Sequence, residues 1–269
     1  MSTLEMIEQG EGQLVVLFHG AASHSGQWRQ LIDRLKSNYR VVGFNQYGYG
    51  RSSSWSEARA MTFKDQVKPV IEYLKSQTGP LHLVGHSHGA TLAALTATLV
   101  GDRVRSLSIY EPNSFCVLDQ DAPRQREQYE LIRSSFGDLA ARGATPETQA
   151  IFAEELLDFW LGRGAWRKLP DRLQGQLISM MKPTINEVHA ALHCPIDIRP
   201  LYHLKNRVLL MFDPHTPPAA LEVSQCYQAL LPHCRTQQFP HGGHLAPVFH
   251  PHQINEAICH HLEFCASLG

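Results

Sequence analysis

The first 112 residues alternate between two hydrophobic periods. Short apolar runs bounded by turn residues predict buried strands at QLVVLF (13–18), YRVVGF (39–44), LHLV (81–84) and VRSLSIY (104–110). Between them, apolar positions recur at helical spacing. SGQWRQLIDRL (25–35) carries Trp28, Leu31, Ile32 and Leu35 on one face, and FKDQVKPVIEYLKSQ (63–77) and HGATLAALTATLV (88–100) also predict helices. Pro69 is expected to perturb the second of these. Strand signals vanish from about 113 to 200, where RQREQYELIRSSF and PETQAIFAEELLDFWL predict helices. The first pattern then resumes with a strand at RVLLMF (207–212), a helix at AALEVSQCYQALL (219–231), a short strand at RTQQF (235–239) and a closing helix at PHQINEAICHHLEFC (251–265).

Strands alternating with helices imply right-handed crossovers and a mostly parallel, doubly wound sheet buried on both faces. The expected fold class is α/β. Residues 1–112 and 201–269 form its core, and 113–200 form a helical insertion. The recurring aromatic and apolar residues of that insertion (Phe152, Leu156, Phe159, Trp160, Trp166) read first as packing.

Bulk properties narrow the function. The chain has 269 residues, 18% of them charged, with a formal net charge of -1. Nucleic-acid and membrane-surface binding normally need a basic excess, so neither partner is expected. No apolar run approaches the roughly 20 residues of a bilayer span. The opening MSTLEMIEQGEG lacks the pattern of a secretory signal, and the six cysteines show no paired CxxC spacing. The expectation is a cytoplasmic protein with reduced thiols, no metal and no organic cofactor. The histidines at 250, 252, 260 and 261 read as a solvated helix face.

One stretch does not read as packing. In LVGHSHGATLAAL (83–95), Ser87 stands between His86 and His88, with Gly85 and Gly89 outside them, where a strand gives way to a helix. This is the G-x-S-x-G arrangement. A sharp strand-to-helix turn lifts the serine hydroxyl clear of the sheet, and the flanking glycines are needed because side chains there would clash. Such a pattern arises by chance in about 0.1 of chains this long, so alone it decides little.

Three further features strengthen it. His19-Gly20-Ala21-Ala22 follows the strand 13–18, where the Ala21 N–H can converge with that of His88 on a developing oxyanion. His244 follows Gly242-Gly243 after the last strand and supplies the base a serine needs; His241 is its near competitor. Asp213 ends the strand 207–212, where a carboxylate can fix the histidine's tautomer. The chain order Ser87, Asp213, His244 is the one G-x-S-x-G enzymes use.

With HGAASHSGQW, NQYGYGRSS, GHSHGA, DPHTPP and GGHL in that order, the chain resembles the α/β-hydrolase fold superfamily over nearly all of its length outside 113–200. The resemblance implies a sheet of seven to eight strands, a Ser-His-acid triad and a helical cap. Few residues precede strand 13–18, which favours seven strands. Members usually place a glycine-containing loop before the acid, whereas Asp213 directly follows Phe212. Glu111, after strand 104–110, occupies a position that some members use, and stands as the alternative acid. Asn45 replaces the family's aspartate before the glycine loop.

Because a serine replaces the aspartate that epoxide hydrolases and haloalkane dehalogenases use, the resemblance implies acyl chemistry. An ester of a small or medium hydrophobic acyl group is the expected substrate, cleaved through an acyl-enzyme on Ser87. His19 and Trp28 are candidate substrate contacts, while His86 and His88 read as structural. A C–C bond hydrolase, an acyltransferase and a non-catalytic ligand-binding module remain alternatives. Besides a small-molecule acyl substrate, the expected partner is at most a second copy, so that a monomer or homodimer is expected.

Overall fold

The computed structural model describes residues 3–56, 58–118 and 121–268, and all but the side chain of Asn206 among them. The outer limits of the expected core, Met1 and Gly269, lie outside the described residues. The chain runs β1 (Met6–Gln9), β2 (Gln13–Phe18), α1 (Arg29–Leu35), β3 (Tyr39–Phe44), α2 (Phe63–Lys75), β4 (Leu81–His86), α3 (His88–Val100) and β5 (Val104–Tyr110). Five helices follow before the next strand: α4 (Pro123–Ile132), α5 (Asp138–Ala141), α6 (Pro146–Leu161), α7 (Asp171–Ser179) and α8 (Met181–His193). The last elements are β6 (Val208–Phe212), α9 (Pro218–Leu230), β7 (Arg235–Gln238), α10 (Ala246–Phe249) and α11 (Pro251–Ser267).

The seven strands form one sheet in the order β1-β3-β2-β4-β5-β6-β7. Only β1 pairs antiparallel, against β3; every other pairing is parallel. The pleat divides the core in two. Leu14, Val16 and Phe18 of β2 and Val208, Leu210 and Phe212 of β6 face the layer of α2, α3 and α9. Their alternates Val15, Leu17, Leu209 and Met211 face α1 and α11. Both faces are covered, which is why these strands read as continuous apolar runs.

Two expectations change in detail. Helix α2 runs unbroken through Pro69, held at its start by Thr62 and Asp65 in a reciprocal capping box. Trp28 closes a 3₁₀ turn (Ser25–Trp28) ahead of α1 and is buried in the layer between the sheet, α1 and α11.

The fold buries an unusual share of imidazole. Burial holds His19, His82 and His261 down to about 4 and His88 down to about 3. His82 is bonded to Ser106 (2.7 Å), and His261 donates through Nε2 to the Arg207 carbonyl (3.0 Å). These folded values lie below the 6.5 of the unfolded chain, so the unfolded state takes up protons first as pH falls. Stability is therefore full above about 6.5 and is lost progressively toward pH 4. Groups held near 4 are each worth up to about 3 kcal/mol and His88 up to about 5, against a typical margin of about 5–15 kcal/mol for a whole domain. The melting temperature should drop steeply between pH 6.5 and 4; a flat profile there in a thermal scan would contradict these neutral histidines.

Candidate active site

Ser87 is the single residue between β4 and α3, and its backbone (φ 55, ψ −121) lies in a region non-glycine residues avoid. The neighbouring glycines are forced. A Cβ on Gly85 would run into the Gly89 carbonyl and lie 2.6 Å from the Ala90 Cα, and one on Gly89 would meet the Phe18 and His19 carbonyls. The corner is fixed by the Ser87 N–H donating to the Tyr110 carbonyl (2.9 Å).

From that corner the serine hydroxyl donates to His244 Nε2 at 2.8 Å, and His244 Nδ1 donates to Glu111 Oε2 at 2.7 Å. All three side chains are buried. The carboxylate hydrogen-bonded to the histidine is thus Glu111, the alternative offered by the sequence, and not Asp213. Asp213 accepts the N–H groups of His215 (2.8 Å) and Gly243 (2.7 Å) instead. The reason is reach. Glu111 follows β5 with φ 42, a turned backbone that sends a long side chain across the end of β6. There its Oε1 also accepts the Asp213 N–H (2.8 Å), and its Oε2 the Thr216 hydroxyl (2.9 Å). Asp213, one carbon shorter, is spent on its own turn and on the loop before His244.

That loop has three tethers. Asp213 holds the Gly243 N–H, the Tyr110 hydroxyl donates to the Gly243 carbonyl (2.7 Å), and His86 Nε2 donates to the His244 carbonyl (2.8 Å). Because His86 donates from Nε2, its Nδ1 is the acceptor, taking a hydrogen bond from Gln27 Nε2 (3.1 Å). Gln27 Oε1 in turn accepts the Gly20 N–H (3.2 Å). Burial, with His244 close by, keeps His86 well below the ordinary imidazole range and hence neutral. His86 therefore ties the loop after β2 to the loop after β7. Neither the Ala21 nor the His88 N–H has an acceptor among the described residues, whereas the Ala22 N–H is taken by the Tyr49 hydroxyl (3.0 Å).

The other sequence candidates lie behind this site. His19 Nε2 accepts the Gln46 N–H (3.1 Å) and its Nδ1 donates to the Gly20 carbonyl (2.7 Å), so it braces the loop and does not line the cavity. Trp28 does not line it either; both side chains are buried in the core. The His88 side chain points away from the site, its Nε2 donating to Gln66 Oε1 (2.6 Å).

A cavity of about 320 Å³ opens on Ser87 and His244. The segment 113–200 supplies most of its described wall, including Phe136 after α4, Leu156 and Leu157 of α6, Leu173 and Leu177 of α7, and Val188 of α8. Among the described residues, no Lys, Arg, Asp or Glu lines it. Sequence reasoning missed Trp160 of α6, whose indole stacks on the His244 ring with centroids 3.4 Å apart and planes at 9°.

It also missed Tyr49, in the loop NQYGYGRSS. The Tyr49 hydroxyl, besides accepting from Ala22, meets Thr184 (2.9 Å) and donates to Glu187 Oε2 (2.7 Å), both on α8. The insertion is thereby wired to the loop after β2. Burial raises the Glu187 carboxyl to about 8, so it is protonated at neutral pH.

A strand-to-helix corner bearing a serine, with a histidine and a carboxylate brought to it from later loops of a parallel sheet, defines an α/β hydrolase. The chain belongs to the alpha/beta hydrolase family, whose model matches residues 15–257. It is 29% identical over 108 residues to (E)-2-((N-methylformamido)methylene)succinate hydrolase of Acinetobacter baylyi, which is 40% of either chain. It is 40% identical over 95 residues to epoxide hydrolase B of Mycobacterium tuberculosis, 35% of this chain and 27% of that one. The matched segments thus span less than half of these curated relatives. Among solved structures, a thermophilic esterase from Thermogutta terrifontis superposes with a TM-score of 0.71 at 23% identity, covering 98% of this chain and 94% of that one. At that identity the likeness speaks for the fold.

The Glu187 site makes a pH-dependent prediction. Its folded value is above the 4.5 of a free carboxyl, so the unfolded chain releases the proton first as pH rises. Stability is lost between about pH 4.5 and 8. Glu187→Gln, which needs no proton, should melt increasingly above wild type from pH 5 to 9. A difference in melting temperature that does not vary with pH would contradict a protonated Glu187.

Proposed function

We propose that this protein is a serine hydrolase of carboxylic esters, with Ser87 as nucleophile, His244 as base and Glu111 as the acid that orients it. The carrying observation is the unbroken line of hydrogen bonds from Ser87 Oγ through His244 to Glu111, at 2.8 and 2.7 Å. The Ser87 oxygen attacks the ester carbonyl carbon while its proton passes to His244 Nε2. Glu111 holds the Nδ1 proton and balances the imidazolium. The free N–H groups of Ala21 and His88 form the oxyanion hole, the second at the start of α3. On collapse His244 protonates the departing alkoxide, leaving an acyl-enzyme. Water, deprotonated by His244, then releases the acid and restores the serine hydroxyl. Asp213 acts at one remove, by holding the Gly243 N–H and the loop that carries the base.

The cavity bears on the substrate. An apolar wall with no charged side chain favours an uncharged acyl chain and offers nothing to a second carboxylate. The succinate hydrolase of Acinetobacter baylyi and a dienoic acid hydrolase of Metapseudomonas resinovorans bear carboxylates in the names of their substrates. This wall supports neutral esters over such compounds. Helices α4 to α8 act as the cap, covering the acyl chain.

Three comparisons test the reading. With p-nitrophenyl esters from acetate to decanoate, wild type should turn over medium chains best and Ser87→Ala should lose all turnover; no turnover by wild type at any length would overturn it. Glu111→Gln should lower kcat by about 10⁴, with Asp213→Asn costing far less; the reverse ranking would return the triad to Asp213. A half-ester of a dicarboxylic acid should react at least tenfold more slowly than the neutral ester of equal length, since its charge would lie unpaired in an apolar chamber. Equal rates would contradict the neutral-substrate assignment.

A further inference from the structure

The imidazole of His244 borders the cavity but is held closely. Its two nitrogens are engaged by Ser87 and Glu111, and the His86 ring lies nearby, with centroids 5.0 Å apart and planes at 46°. One face of the imidazole is covered by Trp160, in a near-parallel stack at 3.4 Å. Trp160 sits in the last turn of α6, one residue before the helix ends at Leu161. Its position is set from both sides. Phe159 packs edge-on against its ring (4.7 Å, 77°), and Asp158 folds the following loop back by accepting the N–H groups of Gly164 (2.7 Å) and Trp166 (2.8 Å).

This contact joins the insertion to the base itself, where walls built only to hold substrate would stop short. When His244 takes the Ser87 proton it becomes a cation, balanced by Glu111 at Nδ1 but facing a chamber that no Lys, Arg, Asp or Glu lines among the described residues. The negative face of an indole favours a cation lying against it, most of all where water is excluded, and it favours the imidazolium over the neutral ring. A flat partner at stacking distance also restricts rotation of the imidazole out of the Ser87–Glu111 line.

We propose that Trp160 is a positioning residue for the base: a cap side chain that holds the His244 ring and favours its protonated form during attack. This rests on the reading of Ser87 and His244 as nucleophile and base. Trp160 also lines the cavity, so a test on long acyl esters alone would confuse this role with substrate packing.

The probe is therefore a small alkyl fluorophosphonate, which reacts with an activated serine as fluoride departs and the serine proton passes to the base, and which needs no knowledge of the natural substrate. The second-order rate of Ser87 modification would be measured for wild type, Trp160→Phe and Trp160→Leu, with kcat and KM for p-nitrophenyl acetate alongside. Phenylalanine keeps an aromatic face, whereas leucine keeps only apolar bulk. The expected result is modification slowed about tenfold or more in Trp160→Leu, with kcat falling in parallel, KM for acetate nearly unchanged, and Trp160→Phe restoring most of the rate. Wild-type rates in both variants would overturn the proposal, as would equal slowing in both, since the aromatic face would then not be the cause. Absence of any modification of wild-type Ser87 would instead overturn the serine hydrolase reading. Trp160→Phe changes bulk little and keeps the comparison usable should Trp160→Leu unfold.

Discussion

The corner at Ser87 constrains everything around it. A non-glycine residue at φ 55 persists only where its surroundings over-determine it, and here they do. Gly85 and Gly89 let α3 press against the ends of β2 and β4, with the Phe18 and His19 carbonyls filling the place of a Gly89 side chain. The parallel sheet then brings the ends of β4, β5 and β6 side by side, with Gly85 level with Ile109 and Tyr110 level with Met211. Glu111, Asp213 and the loop bearing His244 emerge at that edge. Glu111 stands 102 residues from Asp213 and 133 from His244 in sequence, yet is within hydrogen-bond distance of both because adjacent parallel strands end together.

How legible this was depended on whether a function rested on backbone geometry or on reach. Ser87 and the strands around it show in the sequence because the turn admits only glycine at fixed offsets and the doubly buried strands admit only apolar runs. His244 shows because Gly242-Gly243 marks its loop. The acid did not show, since Glu111 and Asp213 both follow strands and both can ionise. What separates them is one methylene and a positive φ at Glu111, neither of which leaves a mark in composition or spacing. His19 and Trp28 sit beside the right motif but serve the interior, as burial alone decides. Trp160 and Tyr49 were invisible as partners of the site because their contacts cross from the insertion to the core.

The insertion is more than a cover. Its apolar side chains wall the cavity, Glu187 and Thr184 of α8 reach Tyr49 and through it the Ala22 N–H, and Trp160 reaches the base. The loop after β2 and the ring of His244 are thus both met from the insertion. A buried, protonated carboxyl is a costly tether, tolerated where the hydrogen bond it makes is needed. The chemistry of the corner and the shape of the chamber are accordingly joined through a few side chains at known positions.

The central claim is that His244 is bound through Nδ1 to Glu111 and not to Asp213. Proton NMR of the downfield region observes that proton directly, because an imidazole N–H bonded to a carboxylate is strongly deshielded and protected from exchange. The account predicts a single downfield resonance in wild type that persists in Asp213→Asn and is lost or moved far upfield in Glu111→Gln. Persistence in Glu111→Gln with loss in Asp213→Asn would contradict it.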